Sequence, residues 1–345
     1  ELISLKSPTR NDAKKLRLNV PNNTATYGHF FHNLTNPAWL PLLRQQKFFS
    51  RPLKPIYEPR NEGYVVSHPF WPQSRYLARM AASADVATQQ IVVTIAVSIE
   101  TENISIHQDL LDAALALPAA TAATLTNHEC QWIANQTHLA GLLPERLGQT
   151  IAHLSVGNEV EAALELARVT LAVLPNPRAN EATEESWSWH REPVSRLGGW
   201  YYGRVLQLAL PDLVRAGGVD ALTMFCDLLE SAVNLYQGHT PTEATDDYSD
   251  IWRTHIDHRS GEDVKDYVAS AVVKCAEQLV KADPTQVPTL ASSLQARHWR
   301  IFKRISFHLL TIAPENAGEI IRETLLRSHN QEPPLAEEYV ALLHD

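Results

Sequence analysis

Imidazoles and carboxylates crowd into one stretch, "GHTPTEATDDYSDIWRTHIDHRSGED", which holds His239, Asp246, Asp247, Asp250, His255, Asp257, His258 and Asp263. Side chains of these two kinds together suit Zn, Mn or Fe. His255 and His258 stand three apart, the spacing that puts two side chains on one face of a helix. Segment 239–263 is therefore where a metal-dependent hydrolase would have its centre. It contains neither H-E-x-x-H nor the spacing of an EF-hand, and Asp and Ser also cap helices and fill loops. A solvated loop that ends in helix caps is the simpler expectation, and no metal ligand is assigned.

Covalent chemistry has less to work with. The chain has no G-x-S-x-G elbow, and no G-x-x-x-x-G-K-[ST] to cradle a nucleotide. Cys130 follows His128 and Glu129, but residues one and two apart on a helix point in different directions, so a buried core thiol is expected. The three cysteines, Cys130, Cys226 and Cys275, are far apart and form no C-x-x-C pair. That pattern fits a reducing compartment rather than a disulfide framework or zinc knuckle. No catalytic residue and no cofactor are expected.

Two further stretches could recognise a partner. In "SLQARHWRIFKRISFHLLTIAPENA", a helical wheel gathers Leu294, Ile301, Phe302, Ile305 and Leu309 on one side. Arg297, Arg300, Lys303 and Arg304 fall opposite, with His298 among the apolar group and Trp299 at its edge. A solvated charged face accounts for this pattern. The alternative is a local basic patch for a phosphate backbone or an acidic segment, with Trp299 as anchor. In "ESWSWHREP", Trp187 and Trp189 alternate beside His190 and Arg191, and either plug a gap between helical layers or anchor a partner. The partner-binding candidates are thus Trp187, Trp189, Arg297, Trp299, Arg300, Lys303 and Arg304. The proline-aromatic loop with Tyr57, Tyr64, Phe70, Trp71 and Arg75 either lines a groove or, as expected, clamps a loop onto the body.

The elements that must position these residues read as helices. Residues 1–30 look like a poorly patterned arm. "NPAWLPLLRQQKFF" opens a short helix with Asn36 as N-cap and Pro37 in the first turn. Residues 50–72 form a long ordered loop or a short hairpin. Apolar residues then recur at spacings of three and four through 73–99, 106–117, 119–134, 144–155, 160–174, 200–210, 219–236, 263–281, 284–294, 299–312 and 315–328. "QQIVVTIAVSI" is taken as helix despite its β-branched residues. Prolines such as Pro144, Pro284 and Pro288 sit at helix starts, where a missing N–H costs nothing. The expected organisation is an N-terminal arm, short helix and loop (1–72), helical repeats (73–175), a linker or insert (176–198) and further helical repeats (199–345).

Composition narrows the function classes. The 345 residues carry a formal net charge of -9, so the overall field does not steer the chain to nucleic acid. No apolar run reaches the ~18 residues of a membrane span and no signal peptide is recognisable, which makes the cytoplasm the expected compartment. The sequence opens at Glu1 with mid-domain composition, as a fragment or processed chain would.

"VPTLASSLQARHWRIFKRISFHLLTIAPENAGEIIRETL" resembles a HEAT-type helix pair, and "NPAWLPLLRQQKFF" the helical opening of such repeats. Together with "YVVSHPFWPQSRYLARMA" and "IWRTHIDHRSGEDVKDYVASAV" they resemble the HEAT/armadillo-like regions of large bacterial multidomain proteins, ATPase- or effector-linked and often in antiviral defence. The succession of helices with short joints points to an all-α, irregular HEAT-like α-solenoid of stacked helix pairs, with an ordinary all-α domain as the alternative; the resemblance implies the same solenoid, with the chemistry elsewhere. The expected role is a non-catalytic scaffold or recognition module that holds a protein partner, or another domain of the same system. A nucleic-acid-associated module using the basic helix face is the first alternative, and the metal-dependent hydrolase the second.

Overall fold

The computed structural model describes residues 2–21, 23–61, 63–178, 192–237, 247, 249, 256, 261, 263–331, 338 and 340–342. Most of them are helical, and the strands form two small antiparallel hairpins. The chain divides into two compact units, Glu1–Val169 and Thr170–Asp345.

The first unit begins with two helices where an unpatterned arm was expected. Helix α1 (Arg10–Asn19) starts at a capping box, in which Thr9 and Asp12 satisfy each other's backbone N–H groups. Helix α2 (Thr24–Asn33) starts at Asn23, whose side chain accepts from the Thr26 N–H. Each hides a short apolar edge, Ala13 and Leu16 in α1, Phe30 and Phe31 in α2. The low apolar content of α1 is what concealed it. Helix α3 (Trp39–Gln45) buries Trp39, Leu40 and Leu43. Asn36, expected as the cap, stands two residues ahead of the N-cap Ala38 and accepts from its N–H.

Next come the hairpin strands β1 (Ile56–Arg60) and β2 (Gly63–Ser67), then α4 (Pro72–Ala81), α5 (Val86–Ala96), α6 (Ile104–Ala116), α7 (Ala119–Ala134), α8 (Leu143–Val156) and α9 (Val160–Thr170). The β-branched "QQIVVTIA" run is helical, because Asp85 caps its start and Val92, Ile95 and Ala96 recur at helical spacing into the core. Helices alternate between two layers. α2, α4, α6 and α8 pack one on the next, as do α1, α3, α5 and α7.

The second unit contains β3 (Val173–Leu174) paired with β4 (Val194–Ser195), then α10 (Gly199–Gln237), α11 (Val264–Ala282), α12 (Val287–Gln295), α13 (Arg300–Ile312) and α14 (Gly318–Gln331). The two helices expected over 200–210 and 219–236 both lie within α10, which is two helices joined at the non-helical Gly218. Gly218, at φ 54 and ψ -127, supplies the bend that a residue with a Cβ could not adopt without strain. α10 packs on α11, and α13 on α11 and α12. Among the described residues no helix is long and apolar enough to cross a membrane.

Candidate functional site

Hairpin β1–β2 is the feature of the first unit that the core does not explain. Its register pairs Tyr57 with Val66 and Pro59 with Tyr64, while Ile56, Glu58 and Arg60 pair with Ser67, Val65 and Gly63. Side chains alternate across a strand, so Tyr57, Pro59, Tyr64 and Val66 share one face. That face is apolar throughout, yet all ten strand residues are exposed, Tyr57 at 62% and Tyr64 at 72%. The other face carries the Glu58–Arg60 pair. An isolated two-stranded ribbon gains little stability of its own in water, so the ribbon must be held by its ends.

The ends are held by Asn103, the fully buried N-cap of α6. Its Oδ1 accepts from the Ser105 N–H, and its two amide protons go to the Leu53 carbonyl (2.9 Å) and the Pro69 carbonyl (2.8 Å). One side chain thus closes both feet of the hairpin. His68 adds a second tie, accepting at Nδ1 from the Ile104 N–H, while its carbonyl accepts from Ser105 Oγ. Beyond the second foot Trp71 is buried and anchors the chain, whereas Phe70 stays exposed under the Arg75 guanidinium at 4.6 Å. The aromatic loop was expected to clamp itself to the body. Trp71 does so; Tyr57, Tyr64 and Phe70 face water.

Inside the unit lie two buried polar groups. His107 donates at Nε2 to the Thr101 carbonyl (3.0 Å), its Nδ1 lies 3.0 Å from the Glu129 carboxyl, and Trp132 stacks on its ring at 3.6 Å. Burial would raise the Glu129 carboxyl, but the charges and hydrogen bonds of His107 and His128 overcome it and hold the group below its ordinary value. With every valence of His107 engaged, this group fastens α6 to α7. Ser74 Oγ lies 2.5 Å from Asp109 Oδ2 and 2.8 Å from the Trp71 carbonyl. Burial pushes the Asp109 carboxyl up to about 6, against the opposing pull of Ser74 and Arg75. One hydroxyl proton serves only one of those contacts at a time, and the other is supplied when Asp109 takes up a proton.

The sequence candidates fare unevenly. Arg304 was expected on a solvated face. It is 3% exposed and holds Glu338 through two contacts, Nε–Oε2 at 3.1 Å and Nη2–Oε1 at 2.7 Å. Trp299, placed at an edge, is buried, and His298, placed in the apolar group, is exposed. Both differ because α13 starts at Arg300, which leaves these residues outside the helical wheel. Arg297 pairs with Asp227 (2.8 Å) and Glu230 (2.9 Å). Arg300 and Lys303 are partly buried. Ile301, Phe302, Ile305 and Leu309 are buried as the wheel required. Trp187 and Trp189 lie outside the described residues.

Of the His/Asp run, His239, Asp246, Asp250, His255, Asp257 and His258 also lie outside them. Asp247 is described and buried. Its Oδ2 accepts from the Arg300 N–H at 2.6 Å, and Ser249 Oγ accepts from the Ile301 N–H at 3.2 Å, so both close the N-terminus of α13. Among the described residues no group of three or more His, Cys, Asp or Glu is placed to hold a metal ion. The three cysteines are buried and free, and burial pushes the Cys130 and Cys226 thiols up to about 12, leaving them protonated at neutral pH.

No family model, curated protein or solved structure matches this chain.

Proposed function

We propose that the protein is a non-catalytic recognition module that docks a protein partner on hairpin β1–β2. One observation carries this: a pinned ribbon turns Tyr57, Pro59, Tyr64 and Val66 to water on a single face. Tyr contributes large contact area with few rotamers to freeze, which is why it anchors interfaces. The ribbon also offers backbone edges to an added strand. Pro59 removes one N–H from β1, which leaves β2 as the better edge. The partner is thus a protein with an extended apolar segment. The alternation of two helical layers in the first unit supports a HEAT-like stack of helix pairs as the scaffold. The resemblance to helical-repeat regions of bacterial defence proteins is in keeping with such a role, the chemistry lying in the partner or in another domain.

The test is native capture with wild-type protein and with Tyr57→Asp/Tyr64→Asp, followed by mass spectrometry with and without nuclease. A stoichiometric protein held by the wild type, resistant to nuclease and lost from the variant, is expected. The variant should keep its helical circular dichroism, since neither tyrosine is buried. If both proteins retain the same set, the hairpin is not the docking site. Recovery of nucleic acid that is released by salt would favour a nucleic-acid-associated role instead. In the second unit, two of the four basic residues first suggested for that role, Arg297 and Arg304, already pair with carboxylates.

A further inference from the structure

Charge is distributed unevenly along this acidic chain. Residues 1–54 hold nine Lys and Arg against two Asp and Glu, in a protein whose net charge is -9. Four of those nine, Arg17, Lys47, Arg51 and Lys54, line one cavity of about 410 Å³ in the first unit, and no Asp or Glu lines it. None of the four has a carboxylate partner among the described residues. Like charges brought together without counterions raise the free energy of the fold, and an anion in their midst lowers it.

The cavity is also built in ways that suit a phosphate. Helix α4 starts on its wall, at Trp71 and Pro72, and no side chain caps that end. The positive end of a ten-residue helix therefore faces the same space as the four cations. Gln73, in the first turn of α4, lines the cavity while being 5% exposed, and its Oε1 has no hydrogen-bond partner. Nε2 of the same amide reaches the Phe48 carbonyl only at 3.5 Å. An orphaned buried acceptor is costly, and a ligand hydroxyl or amine reaching it after a small side-chain adjustment would satisfy it. Tyr27 and Phe48 supply aromatic wall.

Lys47 shows how the chain gives up local stability at this place. Helix α3 ends in a Schellman motif: the Phe48 N–H donates to the Leu43 carbonyl (3.1 Å) and the Lys47 N–H to the Arg44 carbonyl (2.9 Å). The residue at Lys47 has φ 59, the left-handed conformation that glycine ordinarily fills. Here a lysine accepts the strain and brings its side chain to the cavity.

We propose that this cavity binds a small phosphate-bearing molecule, the size of a nucleotide or of a phosphorylated lipid headgroup. The four cations would hold the phosphate oxygens together with the start of α4, and Gln73 would meet a donor on the rest of the ligand. A cavity of this volume is within the range of small-molecule sites, ~300–1,000 Å³, and the cations converge on it instead of forming a stripe along which a polymer could lie.

Calorimetry with inorganic pyrophosphate and with ADP, and co-sedimentation with phosphatidylcholine vesicles with or without phosphatidic acid, test this on the full chain. Wild type, Lys47→Glu, Arg51→Glu and Lys14→Glu are compared, the last reversing an exposed charge on α1 outside the cavity. Saturable binding of at least one phosphate probe is expected, weakened about tenfold or more by either cavity reversal and unchanged by Lys14→Glu. Binding of pyrophosphate or ADP would identify a soluble ligand; binding confined to vesicles with phosphatidic acid would identify a headgroup. The proposal is overturned if no probe saturates, or if Lys14→Glu weakens binding as much as the cavity variants do. Matching helical circular dichroism and urea midpoints in the variants separate loss of the site from loss of the fold.

Discussion

The side-chain amide of Asn103 donates to the Pro69 carbonyl at 2.8 Å, tying the start of α6 to the far foot of the β1–β2 hairpin. Its second proton reaches Leu53 at the near foot, and its oxygen caps the helix. Asn103→Ala therefore removes a cap and leaves two inward carbonyls without a donor. A loss of about 2–3 kcal/mol in urea unfolding is expected. Amide exchange within residues 56–67 should speed up more than in α7. A drop in stability with hairpin exchange unaltered would show that the ribbon is held by other contacts.

Asp109 makes a prediction about pH. Its folded-state value, about 6, lies above the ordinary 3.8. The folded chain therefore keeps a proton that the unfolded chain releases between those values. The contribution of this group is fully present below pH 3.8 and is lost as the pH rises through 6. Asp109→Asn has no charge to bury and retains a donor for Ser74. The variant should be more stable than wild type by about 1–2 kcal/mol at neutral pH, with the difference closing as the pH falls towards 4. Urea midpoints measured across that range decide it; a gain independent of pH would mean that Asp109 stays ionised.

Arg304 and Glu338 form a buried, two-contact pair. Removing one partner strands the other charge, so Arg304→Met should cost about 3–5 kcal/mol. Arg304→Met combined with Glu338→Leu should recover most of that loss, because neither charge of the pair is then left stranded. A double variant as unstable as the single one would contradict the pairing.

Lys47→Gly separates stability from binding at the basic cavity. Glycine adopts φ 59 without a Cβ clash, and its greater freedom in the unfolded chain offsets part of the gain. A rise in stability of up to about 1 kcal/mol is expected, together with weaker binding of the phosphate probes. If the variant is both less stable and unchanged in binding, Lys47 has neither of the roles assigned to it.

Helices were legible wherever a broad apolar stripe met a proline or an Asx cap, as over 119–134, where expectation and structure share both ends. Helix α1 was not, because its apolar edge is only Ala13 and Leu16; the Thr9-x-x-Asp12 box was the available signal. Arg304 was misplaced since a helical wheel supposes a single buried face, whereas α13 also buries Arg304, Ser306 and Phe307. Its partner stands 34 positions further on, beyond any local pattern. The hairpin was legible as a possibility, its exposure not, since exposure depends on what fails to pack against it. The basic cavity was hidden because Lys47, Arg51 and Lys54, on the one connection after α3, meet Arg17 of α1 and Gln73 of α4 only in three dimensions.

No residue from Ile56 to Arg60 or from Gly63 to Ser67 enters the core, and the two feet close on a single side chain. Folding consequently places almost no demand on what those ten positions contain. On the docking role proposed for it, the ribbon could diverge along with its target while the helical body stays fixed, and a different hairpin grafted between Leu53 and Pro69 would carry its own specificity with it.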